Sequence, residues 1–236
     1  MRVALKIAYN GTSYLGSQTQ KGTKNTILGQ IEHLLCLLGI QQKLQASGRT
    51  DKGVHATGQI CHLDLPPFWN DLAKLQRVLN EMLPSSISIR KVLRVDDDFH
   101  ARYSAKKRLY RYIIKEGDSN PFEEQFVTFT PSLNYRELEQ NIQLFKGTHD
   151  FSLFMKSGSK TTTNERTIYK AFTYRYKNYT ILYFQANGFL RSQIRLMVGA
   201  LLQHDAKKIQ EMLQNTQKHK TKPAPSNGLY LAKISY

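Results

Sequence analysis

Arg2-Val3-Ala4-Leu5-Lys6-Ile7-Ala8-Tyr9 opens on an alternating pattern that sets Val3, Leu5, Ile7 and Tyr9 on one face. A period of two is that of a half-buried strand. Asn10-Gly11 ends it as a turn, and a polar loop with Gly16, Gln18 and Gln20 follows. From Thr26 the apolar residues Ile27, Ile31, Leu34, Leu35 and Leu38 recur at helical spacing until Gly39. Lys43 to Ala46 is short and strand-like. Gln59 to Leu65 alternates again, with Ile60, His62 and Asp64 on one face, and Pro66-Pro67 breaks it. Trp69 to Leu83 repeats the helical spacing through Leu72, Leu75, Val78, Leu79 and Met82, Pro84 ends it, and Ile87 to Val95 is a strand.

That order, strand-helix-strand, loop, strand-helix-strand, is the split βαβ or ferredoxin-like unit. The second half repeats the theme. Arg108 to Lys115 is a strand, Gly117 to Pro121 a turn and Asn134 to Phe145 a helix. The polar loop Lys156 to Glu165 precedes strands Thr167 to Tyr176 and Thr180 to Ala186, paired as a hairpin across Lys177-Asn178-Tyr179. Leu190 to His204 and Ala206 to Leu213 are helical, and Leu229 to Tyr236 is the last strand. The expectation is an α+β chain of two ferredoxin-like halves, residues 1–104 and 105–236, sharing a largely antiparallel sheet with a central active-site cleft. Ligands favour such clefts.

The charge balance narrows the class of partner. Against 18 Asp+Glu stand 34 Lys+Arg, a formal net charge of +16. So large an excess opposes compaction unless a polyanion relieves it, which points to nucleic acid or an anionic membrane surface. No segment approaches the roughly 20 apolar residues needed to span a bilayer, and the N-terminus reads as a strand rather than a signal peptide. Cys36 and Cys61 form no C-x-x-C and fit a reducing compartment. The expected location is cytoplasmic.

Ser47 to Ala56, S-G-R-T-D-K-G-V-H-A, concentrates charge where a plain connection would need none. Gly48 and Gly53 permit tight turns and close approach to a ligand. Asp51 sits between them with Arg49 and Lys52 nearby, an arrangement that can hold a carboxylate ionised; an aspartate that merely caps a turn fits the same spacing. Ala101 to Lys115 carries six Lys/Arg, no acid and three tyrosines. Strand alternation groups Arg108, Tyr110 and Tyr112 on one face, able to stack a base and hold phosphate, or to serve as a lysine-guarded edge. In Asn187 to Gly199, Arg191 and Arg195 are four apart and would share a helix face, suited to phosphate or carboxylate. Lys207, Lys208, Lys218, Lys220 and Lys222 suit non-specific phosphate contacts, or else a solvated helix face and a mobile loop. His55, Cys61, His62 and His100 show no zinc spacing, and no P-loop or G-x-G-x-x-G is present.

Taken together, these blocks resemble the tRNA pseudouridine synthase A family. Gly48 to Ala56 matches G-R-T-D-x-G-V-H-[AG], followed by G-Q-x-x-H at Gly58, Gln59 and His62. Phe99 to Ala105 with Arg108, Tyr110 and Tyr112 matches F-[HN]-A-R-x-S-A…R-x-Y-x-Y. Asn187, Phe189, Leu190, Arg195, Val198, Gly199 and Leu201 match a third block. Tyr9, Gly11, Tyr14, Gly16 and Gln18 fit an N-terminal Y-x-G…Y-x-G-x-Q, and Ala224, Pro225 and Gly228 to Leu231 fit A-P-x-x-G-L-Y-L. The likeness runs end to end. Asn10, Ser17, Lys52 and Gln193 depart from the usual aspartate, tryptophan, small residue and methionine.

The resemblance implies isomerisation of uridine to pseudouridine in the tRNA anticodon stem-loop, at positions 38, 39 and 40 in the family. It implies no cofactor and no metal, and a homodimer with one tRNA touching both subunits. Asp51 would be the nucleophile, Arg195 its ion-pair partner, and Tyr110 the ring that stacks on the flipped uracil. Arg49, His55, Arg108 and Arg191 would join Tyr110 in binding substrate. The residues leave open whether Asp51 attacks the base at carbon 6 or the ribose. Two other classes are weighed: a non-catalytic RNA-binding or chaperone module, which has no need of a glycine-flanked aspartate, and a phosphate-handling enzyme, which would want a metal or phosphate loop.

Overall fold

The computed structural model describes residues 1–156, 158 and 162–236. The expected polar loop from Lys156 to Glu165 therefore lies partly outside the described residues. The chain divides into two compact units, Met1–Lys106 with Tyr230–Tyr236, and Lys107–Leu229.

The first unit begins with β1 (Arg2–Tyr9), α1 (Ile27–Leu37), β2 (Gln45–Ala46), β3 (His55–Asp64), α2 (Leu72–Met82) and β4 (Ile87–Arg94). β1 lies between β3 and β4 and is antiparallel to both, with Leu5 opposite Cys61 and Val92. β2 pairs antiparallel with the far half of β3, Ala46 opposite Cys61. This is the strand order of the split βαβ unit expected from the alternation. Val3, Leu5 and Ile7 pack with Cys61, Leu63 and Ile89 under Ile31, Leu35, Leu75 and Leu79, all buried. Each such aliphatic side chain contributes about 1.5–3 kcal/mol. Both helices start on side-chain caps: Thr26 Oγ1 accepts from Gly29 N–H, and Asp71 Oδ1 from Lys74 N–H.

The second unit contains β5 (Lys107–Glu116), β6 (Thr128–Thr130), α3 (Tyr135–Asn141), β7 (Gly147–Asp150), β8 (Glu165–Tyr176), β9 (Tyr179–Ala186), α4 (Gln193–Gln203) and α5 (Ala206–Leu213). Its strands run β5-β9-β8-β7, all antiparallel, with β6 parallel to β5. The order β5, α3, β8, β9, α4 repeats the build of the first unit. The hairpin turns at Lys177, whose φ of 54° is left-handed. Phe145, Phe151, Phe154, Leu182, Phe184, Met197 and Val198 form the core, each fully buried.

β10 (Leu229–Ser235) returns the chain to the first unit. It lies parallel to the start of β3, Tyr230 opposite His55 and Leu231 opposite Ala56. A Cβ on Gly58 would stand 2.3 Å from the Ala232 carbonyl oxygen, so this approach requires glycine in β3.

Candidate active site

In the first unit the Asp51 loop joins β2 to β3 and is held from both sides. On the incoming side Ser47 N–H donates to Ile60 O, and Ser47 Oγ donates to Gln59 Oε1 at 2.6 Å. Gln59 Nε2 then donates to Gly48 O at 2.8 Å. Gln59 itself is fully buried. At the centre, Thr50 N–H donates to Ser17 Oγ at 2.9 Å, Ser17 N–H donates back to Thr50 O at 3.1 Å, and Tyr9 Oη meets Thr50 Oγ1 at 2.8 Å. On the outgoing side Val54 N–H closes a turn on Asp51 O, and Gly53 takes φ 78°. Asp51, half-buried, is thus presented by a loop whose backbone is tied at Ser47, Gly48, Thr50 and Val54.

The glycines divide differently from the sequence expectation. Gly53 does need the left-handed region. Gly48 has no such φ, and a Cβ there would meet nothing within 4 Å. The close approach comes instead from the N-terminal block. A Cβ on Gly11 would lie 2.0 Å from Val54 O, and Gly16, at φ 111°, would bring one to 3.0 Å from Thr50 O. Gly11 N–H donates to His55 Nδ1 at 3.1 Å, so that nitrogen carries no proton. His55 is 1% exposed and its ring stacks on Tyr230, centroids 4.7 Å apart. Arg49 is exposed and donates from Nε to Gln18 Oε1 at 3.2 Å; Lys52 is exposed too. The departure at Ser17 has a structural use, since its hydroxyl is what receives Thr50. Asn10 Oδ1 accepts from Thr12 N–H and Oγ1, an Asx turn leading into Gly11's neighbourhood.

His62 supports the same unit from below. It is buried, and its Nδ1 accepts from Ala101 N–H at 3.1 Å. Burial, then His100 and Arg2, push its pKa below the ordinary histidine value. The F-H-A-R block is therefore a clamp: Phe99 packs on Tyr236, and Tyr236 Oη donates to Ala101 O at 2.9 Å.

In the second unit Tyr110, on β5, is buried edge-on against Phe189, centroids 5.3 Å apart and planes at 84°. Arg108 Nη1 donates to Asn187 O at 2.7 Å, tying the start of β5 to the end of β9. Tyr112 does not belong to a base-stacking surface: it is 0% exposed, with Oη 2.7 Å from Thr128 Oγ1 and 2.8 Å from Pro225 O. Arg195 lies in the first turn of α4, its Nε donating to Ala224 O at 2.7 Å. Arg191 is not on that helix. Ser192 takes φ 59° and α4 starts at Gln193, so the two arginines share no helix face. Ser192 provides no side-chain cap; the fully buried Gln193 turns back and accepts from Leu190 N–H at 2.7 Å. Its amide does there what a methionine could not.

The C-terminal lysines are all exposed, but the loop that carries three of them is not loose. His219 Nε2 meets Glu211 Oε2 at 2.7 Å and His204 Nε2 meets Thr221 Oγ1 at 2.9 Å. Gln203 holds Lys222, and Arg195 holds Ala224. Among the described residues no three His, Cys, Asp or Glu side chains gather as metal ligands, and no helix is long and apolar enough to cross a membrane.

An α+β chain that presents an aspartate on a glycine-cradled loop, with a tyrosine and an arginine from matching blocks elsewhere, defines a class by its motifs. The family model described as tRNA pseudouridine synthase matches residues 6–104 and 142–236. The chain is 36% identical to tRNA pseudouridine synthase A of Campylobacter jejuni, covering 100% of both chains. It is 36% identical to the protein of that name from Wolinella succinogenes (98% of this chain, 92% of that one) and 35% identical to that of Helicobacter hepaticus (98% and 97%). The chain belongs to the tRNA pseudouridine synthase family. A solved structure, of a Cbf5-Nop10-Gar1 complex, aligns with 97% of this chain and 48% of that one at TM-score 0.40 and 12% identity, too distant a likeness to carry weight.

Proposed function

We propose that this chain isomerises uridine to pseudouridine in the tRNA anticodon stem-loop, at positions 38, 39 and 40 as in the family, with Asp51 as nucleophile. The observation that carries this reading is the loop itself. Its backbone is tied at Ser47, Gly48, Thr50 and Val54, and its sequence is the family's block around the aspartate. Such preorganisation is what a nucleophile needs, because fixing its geometry beforehand removes an entropic cost from the transition state.

The reaction conserves its atoms. The bond from ribose carbon 1 to uracil nitrogen 1 breaks, and the base turns. A bond forms from carbon 1 to uracil carbon 5, which gives up its proton to solvent, while nitrogen 1 gains one. No electrons enter or leave, so the chemistry asks only for a nucleophile, a held base and proton traffic. On this reading Arg195 pairs with Asp51 and keeps it ionised. Tyr110, braced by Phe189, stacks on the flipped uracil. Arg49, Arg108 and Arg191 meet the RNA backbone, and His55 supports substrate binding from beneath the loop. The enzyme acts in the cytoplasm as a homodimer, one tRNA touching both subunits, as the family resemblance implies.

Asp51→Asn keeps the loop's shape and removes the charge. It is expected to lose pseudouridine formation in an unmodified tRNA transcript while retaining tRNA binding in a filter assay. Pseudouridine still made by the variant would show that another residue is the nucleophile.

A further inference from the structure

The second tyrosine of the R-x-Y-x-Y block has no part in the chemistry above. Tyr112 is fully buried beneath the segment that precedes β10, with its Oη 2.8 Å from Pro225 O and 2.7 Å from Thr128 Oγ1. Thr128 Oγ1 also reaches Asn227 Oδ1 at 3.1 Å. Asn227 is fixed in turn, its Nδ2 donating to Glu124 O and Val127 O. Two hydroxyl protons serve these three contacts: with Tyr112 donating to Pro225, Thr128 donates either to Tyr112 or to Asn227. Burial pushes the Tyr112 phenol well above its ordinary pKa, which favours the protonated, donating form.

Pro225 follows the residue on which Arg195 hangs. Ala224 N–H donates to Arg195 O at 2.8 Å, and Ala224 O accepts from Arg195 Nε at 2.7 Å. Two further positions on the same face of α4 hold the segment 222–225, a strap laid along the helix. A Cβ on Gly199 would lie 2.1 Å from Lys222 O, so the strap rests directly on the helix there. Gln203 Nε2 donates to Lys222 O at 2.8 Å, and its Oε1 accepts from Lys222 N–H at 3.1 Å. Pro223 and Pro225 each have a fixed φ, which stiffens the four residues. A guanidinium is a rigid planar fork, so anchoring Nε on a fixed carbonyl sets the plane in which the remaining donors point.

We propose that Tyr112 is a positioning residue for the isomerisation: through Pro225 and Ala224 it fixes the plane of the Arg195 guanidinium, while Gln203 holds the other end of the strap. The inference rests on the reading of Arg195 as the partner of Asp51.

The test is steady-state kinetics on tRNA carrying tritium at uracil carbon 5, for Tyr112→Phe, Gln203→Ala, Arg195→Ala, Arg195→Lys and the double variant Tyr112→Phe with Arg195→Lys. Gln203 is exposed, so its truncation opens no core and decides the matter if Tyr112→Phe does not fold. Misplacing a catalytic group lowers kcat rather than binding, so each single strap variant is expected to lose about tenfold or more in kcat with KM within about twofold. Lysine has no Nε donor to hang from Ala224, so in the Arg195→Lys background Tyr112→Phe is expected to change kcat by less than about twofold. Wild-type kcat in folded strap variants, with Arg195→Ala inactive, overturns the positioning role and leaves the reading of Arg195 standing. An equal loss in both backgrounds makes Tyr112 merely structural and overturns it as well. Wild-type turnover by Arg195→Ala sinks the reading of Arg195 and the inference with it.

Discussion

A single missing Cβ at Gly11 decides whether the Asp51 loop can close. The atom would lie 2.0 Å from Val54 O and 2.7 Å from Val54 C, both backbone, so no rotamer change relieves it. Gly11→Ala must displace the 53–55 backbone and is expected to cost about 1–3 kcal/mol in urea unfolding, as overpacking does. Gly48→Ala meets nothing and needs no special φ, so its stability should stay within about 0.5 kcal/mol of wild type. Equal losses at the two sites would contradict this account of the loop. Gly53 was legible in the sequence because its significance is local, a turn that needs a left-handed residue, and the charge that singles out Asp51 as a candidate is local too. The roles of Gly11, Ser17 and Gln59 were not. Each acts on a chain segment more than ten positions away, and only the fold brings the partners together. The one signal for Gly11 and Gln59 was membership of the Y-x-G and G-Q-x-x-H blocks, which names residues without saying what they touch, and Ser17 stood out only as a departure from the block.

Elements long enough to show their period were readable, and of the short ones only β2 was, within the strand-like stretch Lys43 to Ala46. β1, α1, α2 and the β8–β9 hairpin follow from spacing. β6 and β7, of three and four residues, are too brief for alternation to register. The expected helix to Phe145 tightens into a 3-10 turn after Asn141, and α4 starts later than its apolar spacing suggests because Ser192 is left-handed. The same scale carries a pH dependence, through the β3 histidine that holds the Phe99–Ala101 clamp. His62 has a folded pKa below its unfolded value of about 6.5. The folded state therefore favours the neutral ring, and the stabilisation is complete above the unfolded value and lost as pH falls toward the folded one. Urea midpoints should drop between pH 7.5 and pH 5, and His62→Gln should flatten that part of the profile. An unchanged slope in the variant would assign the acid sensitivity to other groups.

Over the whole molecule the dominant quantity is the net charge of +16. Binding to a polyanion should therefore be strongly salt-dependent, each phosphate contact contributing close to one unit of slope in log K against log salt. Replacing exposed Lys207, Lys218 and Lys220 with Gln should lower that slope by up to about three and weaken tRNA binding uniformly across tRNA species. An unaltered slope would place the phosphates elsewhere. The basic composition pointed to a polyanion, and the end-to-end run of motifs, rather than any single one, pointed to a family whose model matches residues 6–104 and 142–236. The central claim is the isomerisation itself. The most direct measurement is tritium release from tRNA labelled at uracil carbon 5, incubated with the wild-type protein in chelator and without added nucleotide. Release that reaches a plateau set by the number of target uridines, with the transcript otherwise intact, is the predicted result. Tight tRNA binding with no tritium release would contradict it and leave an RNA-binding module in its place.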